Sequence, residues 1–149
     1  MRNSLLSILL STFLFTCSNS EDLETGEIDV LYTAQKWQLV RMSGSFENSE
    51  TTGENMEWQE FYVFNPDGSF LKRRDTAGAV FEATGTFVLM EYGNDEADYL
   101  ELTYASGENL IGSCNGDRTE VLVFRSSLAL SNTWQACDGP GLDYVLVKD

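Results

Sequence analysis

Residues 58–74 read WQEFYVFNPDGSFLKRR, and this stretch decides the fold. Its first half, Trp58 to Phe64, is dense in aromatic side chains, which favour strands. At its centre, Asn65-Pro66-Asp67-Gly68 is a strong turn signal, because Pro suits the second turn position and Gly accepts a positive φ. The stretch therefore predicts a β-hairpin in which residues 69–74 pair back on the first strand.

The period-two pattern continues outward from this hairpin along the chain. Short alternating segments recur at intervals of about ten residues, the spacing of an antiparallel barrel or sandwich. A glycine inside a long strand, Gly85, predicts a bulge or a barrel corner. We therefore expect an all-β fold, an antiparallel up-and-down β-barrel of about eight strands. The predicted strands are residues 37–40, 58–64, 69–74, 80–90, 99–104, 109–113, 120–124, 127–131 and 144–147.

The first 16 residues have the features of a secretory signal. Arg2 precedes a mostly apolar run, Leu5 to Phe15, which is too short to cross a bilayer of ~30 Å as a helix. The following residues, 17–34, are predicted to form an acidic tether with a short helical turn near its end. The alternative is an ordinary signal peptide that is cut near Ser18 or Ser20, with Cys17 lost.

The junction Leu14-Phe15-Thr16-Cys17 resembles the lipobox of bacterial lipoproteins. That resemblance implies a lipid on Cys17 and an anchor in the outer membrane. The acidic segment behind it, Ser18 to Glu24, resembles the export tag of Bacteroidota-type lipoproteins, which implies that the domain faces the cell exterior rather than the periplasm.

Two cysteines remain in the body of the chain, Cys114 and Cys137. In an exported protein such a pair most often forms a disulfide, which would add ~3 kcal/mol of stability by restricting the unfolded chain. Two buried free thiols are the alternative.

Composition excludes several classes of function. The formal charge of −15 repels nucleic-acid phosphates, so we expect no nucleic-acid partner. The sequence has no histidine, which removes Ser-His-Asp and Cys-His catalysis and the commonest zinc ligand. The Asn94–Asp98 segment clusters oxygen ligands without EF-hand spacing, and is interpreted as a solvated hairpin tip rather than a calcium site. We therefore expect a non-enzyme with no cofactor and no resident metal.

The basic run Lys72-Arg73-Arg74 stands out in this acidic chain. On a strand, Lys72 and Arg74 share a face opposite Arg73. The run is interpreted either as edge-strand charge that prevents aggregation or as a patch for an anionic ligand or partner.

The aromatic residues are expected to form the core rather than a pocket. Trp134 is interpreted as a lid or as a cover for the disulfide. The aromatic residues expected in the core are Trp58, Phe61, Tyr62, Phe64, Phe70, Phe81 and Phe87.

Four segments together resemble the lipocalin-like domains of bacterial lipoproteins. They are Lys36-Trp37-Gln38-Leu39, the Phe64 to Phe70 hairpin, Gly85-Thr86-Phe87, and Cys137-Asp138-Gly139-Pro140 with the closing Tyr144-Val145-Leu146. The resemblance spans nearly all of the domain, residues 35–149. It implies a barrel closed at one end, with Trp37 as the plug and a mouth that takes one small ligand. Eight strands leave an interior that side chains just fill or that holds such a ligand.

Two functions follow from these expectations. The first is a lipid-anchored outer-membrane lipoprotein, a monomer, whose barrel binds a small apolar or amphipathic ligand at residues that the sequence does not identify. The second is a surface interaction or inhibitor module with a filled barrel and no small-molecule ligand. An interior cavity of several hundred Å³ would favour the first, and a filled interior with an exposed apolar patch elsewhere would favour the second.

The lipid anchor predicts the chemistry of the mature N-terminus. Mass spectrometry of the protein from its own host should show a first residue Cys17 that carries acyl chains, and the variant Cys17→Ala should leave the membrane fraction because the anchor is gone. An unmodified N-terminus that begins after Cys17 would contradict the prediction.

Overall fold

The computed structural model describes residues 32–92 and 97–148. These residues form a closed antiparallel barrel of eight strands with one short accessory strand. The strands are β1 (Gln35–Ser43), β2 (Thr51–Thr52), β3 (Gln59–Phe64), β4 (Ser69–Thr76), β5 (Ala79–Glu91), β6 (Asp98–Tyr104), β7 (Thr119–Ser126), β8 (Ala129–Asn132) and β9 (Gly141–Leu146). Three 3-10 helices, Gly53–Asn55, Glu108–Leu110 and Trp134–Cys137, lie in the loops.

The barrel is a meander that closes on itself. From β3 to β9 each strand pairs with the next along the chain, and β1 pairs with both β3 and β9. Closure joins Trp37 to Leu146 and Met42 to Leu142, with a register shift between Leu39 and Arg41. The accessory strand β2 pairs with the end of β1 only. The predicted fold class is therefore confirmed.

The hairpin that organises the sequence forms as predicted. Phe64 pairs with Phe70, and Gly68 has a φ of 81° that closes the turn. The predicted strand at 109–113 is wrong, because residues 108–110 form a 3-10 helix that folds over one end of the barrel. The long loop after β1 also holds an unexpected core residue, Met56, which is buried.

Aromatic and aliphatic side chains fill the lower part of the interior. Trp37 packs edge-on against Phe124 at 5.8 Å between ring centroids, and Phe64 packs against Phe87 at 5.0 Å. The expectation that aromatic residues form the core is confirmed for Tyr62, Phe64, Phe70 and Phe87, and Trp58 packs against the core while partly exposed.

The expectation is wrong for two aromatic residues. Phe61 alternates to the outside of β3, where the Lys36 ammonium lies 4.4 Å from its ring centroid. Phe81 lies near the start of β5 and stays 39% exposed.

The meander sends the loops to opposite ends of the barrel. Short connections at 65–68 and 127–128 lie at the end where β1 begins and β9 finishes. Longer loops at 44–58, 105–118 and 133–140 lie at the other end, which we call the upper end. The predicted signal peptide (1–16), Cys17 and most of the tether lie outside the described residues, as does most of the Asn94–Asp98 segment. Among the residues described, no helix has the length and apolar character needed to cross a membrane.

Gly85 is required where β4, β5 and β6 approach one another. A Cβ at this position would lie 2.0 Å from the Thr103 carbonyl oxygen and 2.7 Å from Cε1 of Phe70. The missing side chain lets Phe70 and Tyr104, its partners on either side, pack edge to face at 5.0 Å.

Gly85→Ala should lower the free energy of unfolding by about 3 kcal/mol, because a methyl group would overpack the core and collide with backbone. Gly44→Ala is the control, since its Cβ would meet only the Ser49 side chain at 3.3 Å. Chemical denaturation measures both variants, and equal stabilities would contradict the account.

Candidate functional site

A group of charged and phenolic side chains fills the upper part of the barrel interior. We call it the interior cluster, and its charged members are Glu60 on β3, Lys72 and Arg74 on β4, and Glu120 on β7. Period-two alternation puts each of these side chains on the inner face of its strand. Glu60, Lys72 and Glu120 are at most 1% exposed. Three tyrosines, Tyr62, Tyr104 and Tyr144, complete the cluster.

The Lys72 ammonium is the centre of the cluster. Its Nζ lies 3.2 Å from Oε1 and 3.1 Å from Oε2 of Glu120, and 3.5 Å from Oε1 of Glu60. It also donates a hydrogen bond of 2.7 Å to the carbonyl oxygen of Leu110. The ring of Tyr62 lies beneath the ammonium, 4.9 Å from Nζ to the centroid. Every favourable direction around this buried cation is therefore occupied.

Arg74 neutralises the second carboxylate of the cluster. Its Nε donates to Oε2 of Glu60 at 2.5 Å, and its guanidinium stacks 4.2 Å from the ring centroid of Trp58. Burial lowers the pKa of the Arg74 guanidinium, but the charge and hydrogen bond of Glu60 outweigh it, so the pKa lies above its ordinary value. The two cations and two anions of the cluster balance, which is the condition for burying them together.

The three tyrosines donate hydrogen bonds to the two carboxylates. Tyr62 donates to Oε1 of Glu120 at 3.0 Å, and Tyr104 donates to Oε2 of the same carboxylate. Tyr144 donates to Oε1 of Glu60 at 2.5 Å. Burial first, and then the neighbouring glutamate charges, raise the pKa of each of these hydroxyls, so they remain protonated donors.

A cap made of two upper loops covers the cluster. The Leu110 side chain is 2% exposed, and its carbonyl accepts from Lys72 as described. Next along the chain, Gly112 lies between Glu120 and Trp134: a Cβ there would be 2.9 Å from Glu120 Oε1 and 3.0 Å from the indole. The disulfide between Cys114 and Cys137, with Cα atoms 5.7 Å apart, links these loops. The predicted disulfide is thus present. Trp134 packs against Gly112, in the cap loop that the disulfide holds.

The basic run Lys72-Arg73-Arg74 is not the surface patch that the sequence suggested. The prediction that Lys72 and Arg74 share a face opposite Arg73 is confirmed, since the Lys72 side chain is 0% exposed and that of Arg73 is 37% exposed. Both functional interpretations of the run are wrong for Lys72. Edge-strand charge is excluded because β4 lies between β3 and β5, and a surface patch is excluded because the Lys72 side chain is buried. Glu60 and Glu120, its partners, carry no sequence signal beyond their positions among alternating apolar residues.

Side chains, rather than a cavity, occupy the interior at the level of the cluster. An exposed fraction of 0% for Tyr62, Lys72, Glu120 and Tyr144 means that no water-sized space touches them. A groove of about 440 Å³ lies on the outer side of β4, β5 and β6, with Leu71, Thr84, Thr86 and Thr103 in its lining. Among the described residues no group of three or more Cys, Asp or Glu gathers as metal ligands would.

An apolar and acidic surface lies on the outside of β5 and β6. We call it the β5–β6 face, and it consists of Val88, Met90, Tyr92, Tyr99 and Glu101. Val88 is 52% exposed and Tyr92 is 41% exposed. Tyr92 packs edge-on against Tyr99 at 4.9 Å and its hydroxyl donates to Glu101 at 3.3 Å.

The stretch of sequence that contains this face has no positively charged residue. Residues 75–117 contain nine Asp or Glu residues and no Lys or Arg. Exposed apolar side chains that lie together are typical of a surface that meets a partner.

No family model, curated protein or solved structure matches the chain. The resemblance to lipocalin-like lipoprotein domains therefore stays a prediction.

The raised tyrosine pKa values predict how the protein responds to alkali. Above the ordinary value of 10.0, tyrosines of the unfolded chain lose their protons while Tyr62, Tyr104 and Tyr144 of the folded protein keep theirs. The unfolded state then binds fewer protons, so the free energy of unfolding is retained below that pH and falls above it.

Ultraviolet absorbance of tyrosinate measures this titration. Three of the six tyrosines should ionise only when the barrel unfolds. Tyr144→Phe should remove one late-ionising group, whereas the control Tyr32→Phe, at an exposed position, should leave all three late-ionising groups in place. Ionisation of all six residues with the fold intact would contradict the buried cluster.

Proposed function

We propose that this chain is an exported, lipid-anchored interaction module whose filled barrel presents its outer surface to a protein partner. The observation that carries the proposal is the interior cluster, which occupies the space that a small ligand would need. The sequence of the N-terminal region, with Cys17 behind an apolar run, supports export and lipidation.

The filled interior argues for action through the surface. An apolar ligand above the aromatic layer would have to displace a hydrogen-bonded set of two carboxylates, an ammonium and a guanidinium. Breaking such a buried set costs about 3–5 kcal/mol, because charges would be left unpaired. A molecule without matching charges does not supply that energy.

The β5–β6 face is the surface that fits a partner best. Its apolar side chains would form the buried centre of an interface, and Glu101, which pairs with Val88 on the same face, would supply an acidic group beside them. Because this part of the chain carries negative charge alone, the complementary partner is a protein surface that presents Lys or Arg around apolar side chains.

Photocrosslinking in the native host tests this surface. A photoreactive phenylalanine at Met90 should capture a partner whose linked segment is rich in Lys or Arg. The same group at Val145, which is 39% exposed on the opposite side of the barrel, should not.

Charge reversal by Glu101→Lys should weaken the binding of the purified protein to its partner by ~10-fold or more, or ~1.4 kcal/mol. Equal capture at both positions, or binding unaffected by charge reversal, would reject the β5–β6 face. Native mass spectrometry of the host protein gives the competing outcome, since a retained apolar molecule would favour the small-ligand function instead.

A further inference from the structure

We propose that Lys72 and Glu120 form an intramolecular isopeptide bond, for which the interior cluster supplies the reactants and the acid-base groups. The Lys72 Nζ lies almost equally far from the two Glu120 oxygens, at 3.2 and 3.1 Å. The amine nitrogen is therefore held against the carboxyl group as a whole rather than against one of its oxygens. Reacting groups held at ~3–3.5 Å gain a large effective concentration once they are aligned.

The reaction is a condensation that needs no other reagent. The ammonium of Lys72 passes one proton to Glu60, and its freed electron pair forms an Nζ–Cδ bond with the Glu120 carboxyl. A second proton leaves the nitrogen, and one carboxyl oxygen departs with both protons as water. An ammonium and a carboxylate thus become an amide and a water molecule, with no oxidation or reduction.

Glu60 is positioned to act as the proton carrier. Its Oε1 lies 3.5 Å from Nζ, within reach of the amine after a small side-chain movement. Its other oxygen is held by Arg74 Nε at 2.5 Å, which fixes the orientation of the carboxylate. Tyr144 donates a hydrogen bond of 2.5 Å to Oε1 itself, the oxygen that faces Nζ, and so fixes that oxygen as well. The longer distance and these two contacts make Glu60 the base and Glu120 the acceptor.

Two tyrosines stabilise the charge that develops on Glu120. Tyr62 and Tyr104 each donate to a different oxygen of its carboxylate. When Nζ attacks, one oxygen acquires negative charge and the other leaves, so each hydroxyl has a role at its own oxygen. The raised pKa of both hydroxyls keeps their protons available for donation.

Burial favours the product. An ion pair without access to water loses its hydration on both partners, and the amide removes both charges at once. Because no water-sized space touches Lys72 or Glu120, the water that would reverse the reaction is excluded once the product water has left. The bond would join β4 to β7 across the barrel, independently of the disulfide in the cap.

The mass of the wild-type protein tests the bond directly. The mature protein, purified after export and folding, should weigh one water molecule less than the sum of its processed sequence, its disulfide and any lipid that it carries. Trypsin should not cleave after Lys72, and the digest should contain residues 42–73 joined to residues 119–125. An unshifted mass together with free Lys72 and Glu120 peptides would overturn the proposal.

Variants identify the groups that act. Lys72→Met removes the amine, so this variant should have the mass expected without loss of water. The control is Arg73→Met, which changes the neighbouring outward-facing residue and should keep the linkage. Glu60→Gln should lower the fraction of linked chain at least tenfold while leaving both reacting groups in place. Unchanged linkage in Glu60→Gln would reject Glu60 as the base, and a joined peptide in Lys72→Met would reject the bond. Circular dichroism checks that each variant folds, and the wild-type mass decides the question without any variant.

Discussion

The ammonium of Lys72 lies inside the barrel, in contact with two buried carboxylates, and the upper half of the molecule is arranged around it. Glu120 and Glu60 balance its charge, Arg74 balances the second carboxylate, and three tyrosines use the remaining acceptors. The Leu110 carbonyl brings the cap into the same network. Removal of one member would leave a charge or an acceptor unpaired in a place without water, so the group is held as a unit.

This arrangement divides the barrel into two layers with different physical roles. The lower layer of aromatic and aliphatic residues supplies apolar burial, which is non-directional and tolerates repacking. The upper layer is directional, because each hydrogen bond and ion pair requires its partner at one place. The disulfide and Trp134 hold the cap loops over this upper layer. The cap loops thereby exclude water from the charged side chains beneath them. The outer surface carries a different chemistry, because the β5–β6 face combines apolar side chains with the carboxylate of Glu101.

Local chemistry in the sequence was sufficient for the fold class. Alternation in Trp58 to Phe64 and the turn at Asn65 to Gly68 predict a hairpin that the structure contains. The pairing of Cys114 with Cys137 was predicted from the expectation of export and from the number of cysteines, and the structure contains it. The prediction failed at residues 109–113, where a short apolar segment looks like a strand but packs as a cap. Periodicity over so few residues does not distinguish the two.

By itself the sequence determined that Lys72 and Arg74 share one face of a strand and that Arg73 takes the other, because side chains alternate along any strand. Only the tertiary structure decided that the face with Lys72 points inward. It also decided that Glu120, 48 residues away along the chain, completes the ion pair. The reason is closure: pairing of β1 with β9 brings the inner faces of β3, β4 and β7 around one axis. Contacts across that axis depend on strand register and barrel shear, and no local pattern of residues encodes them.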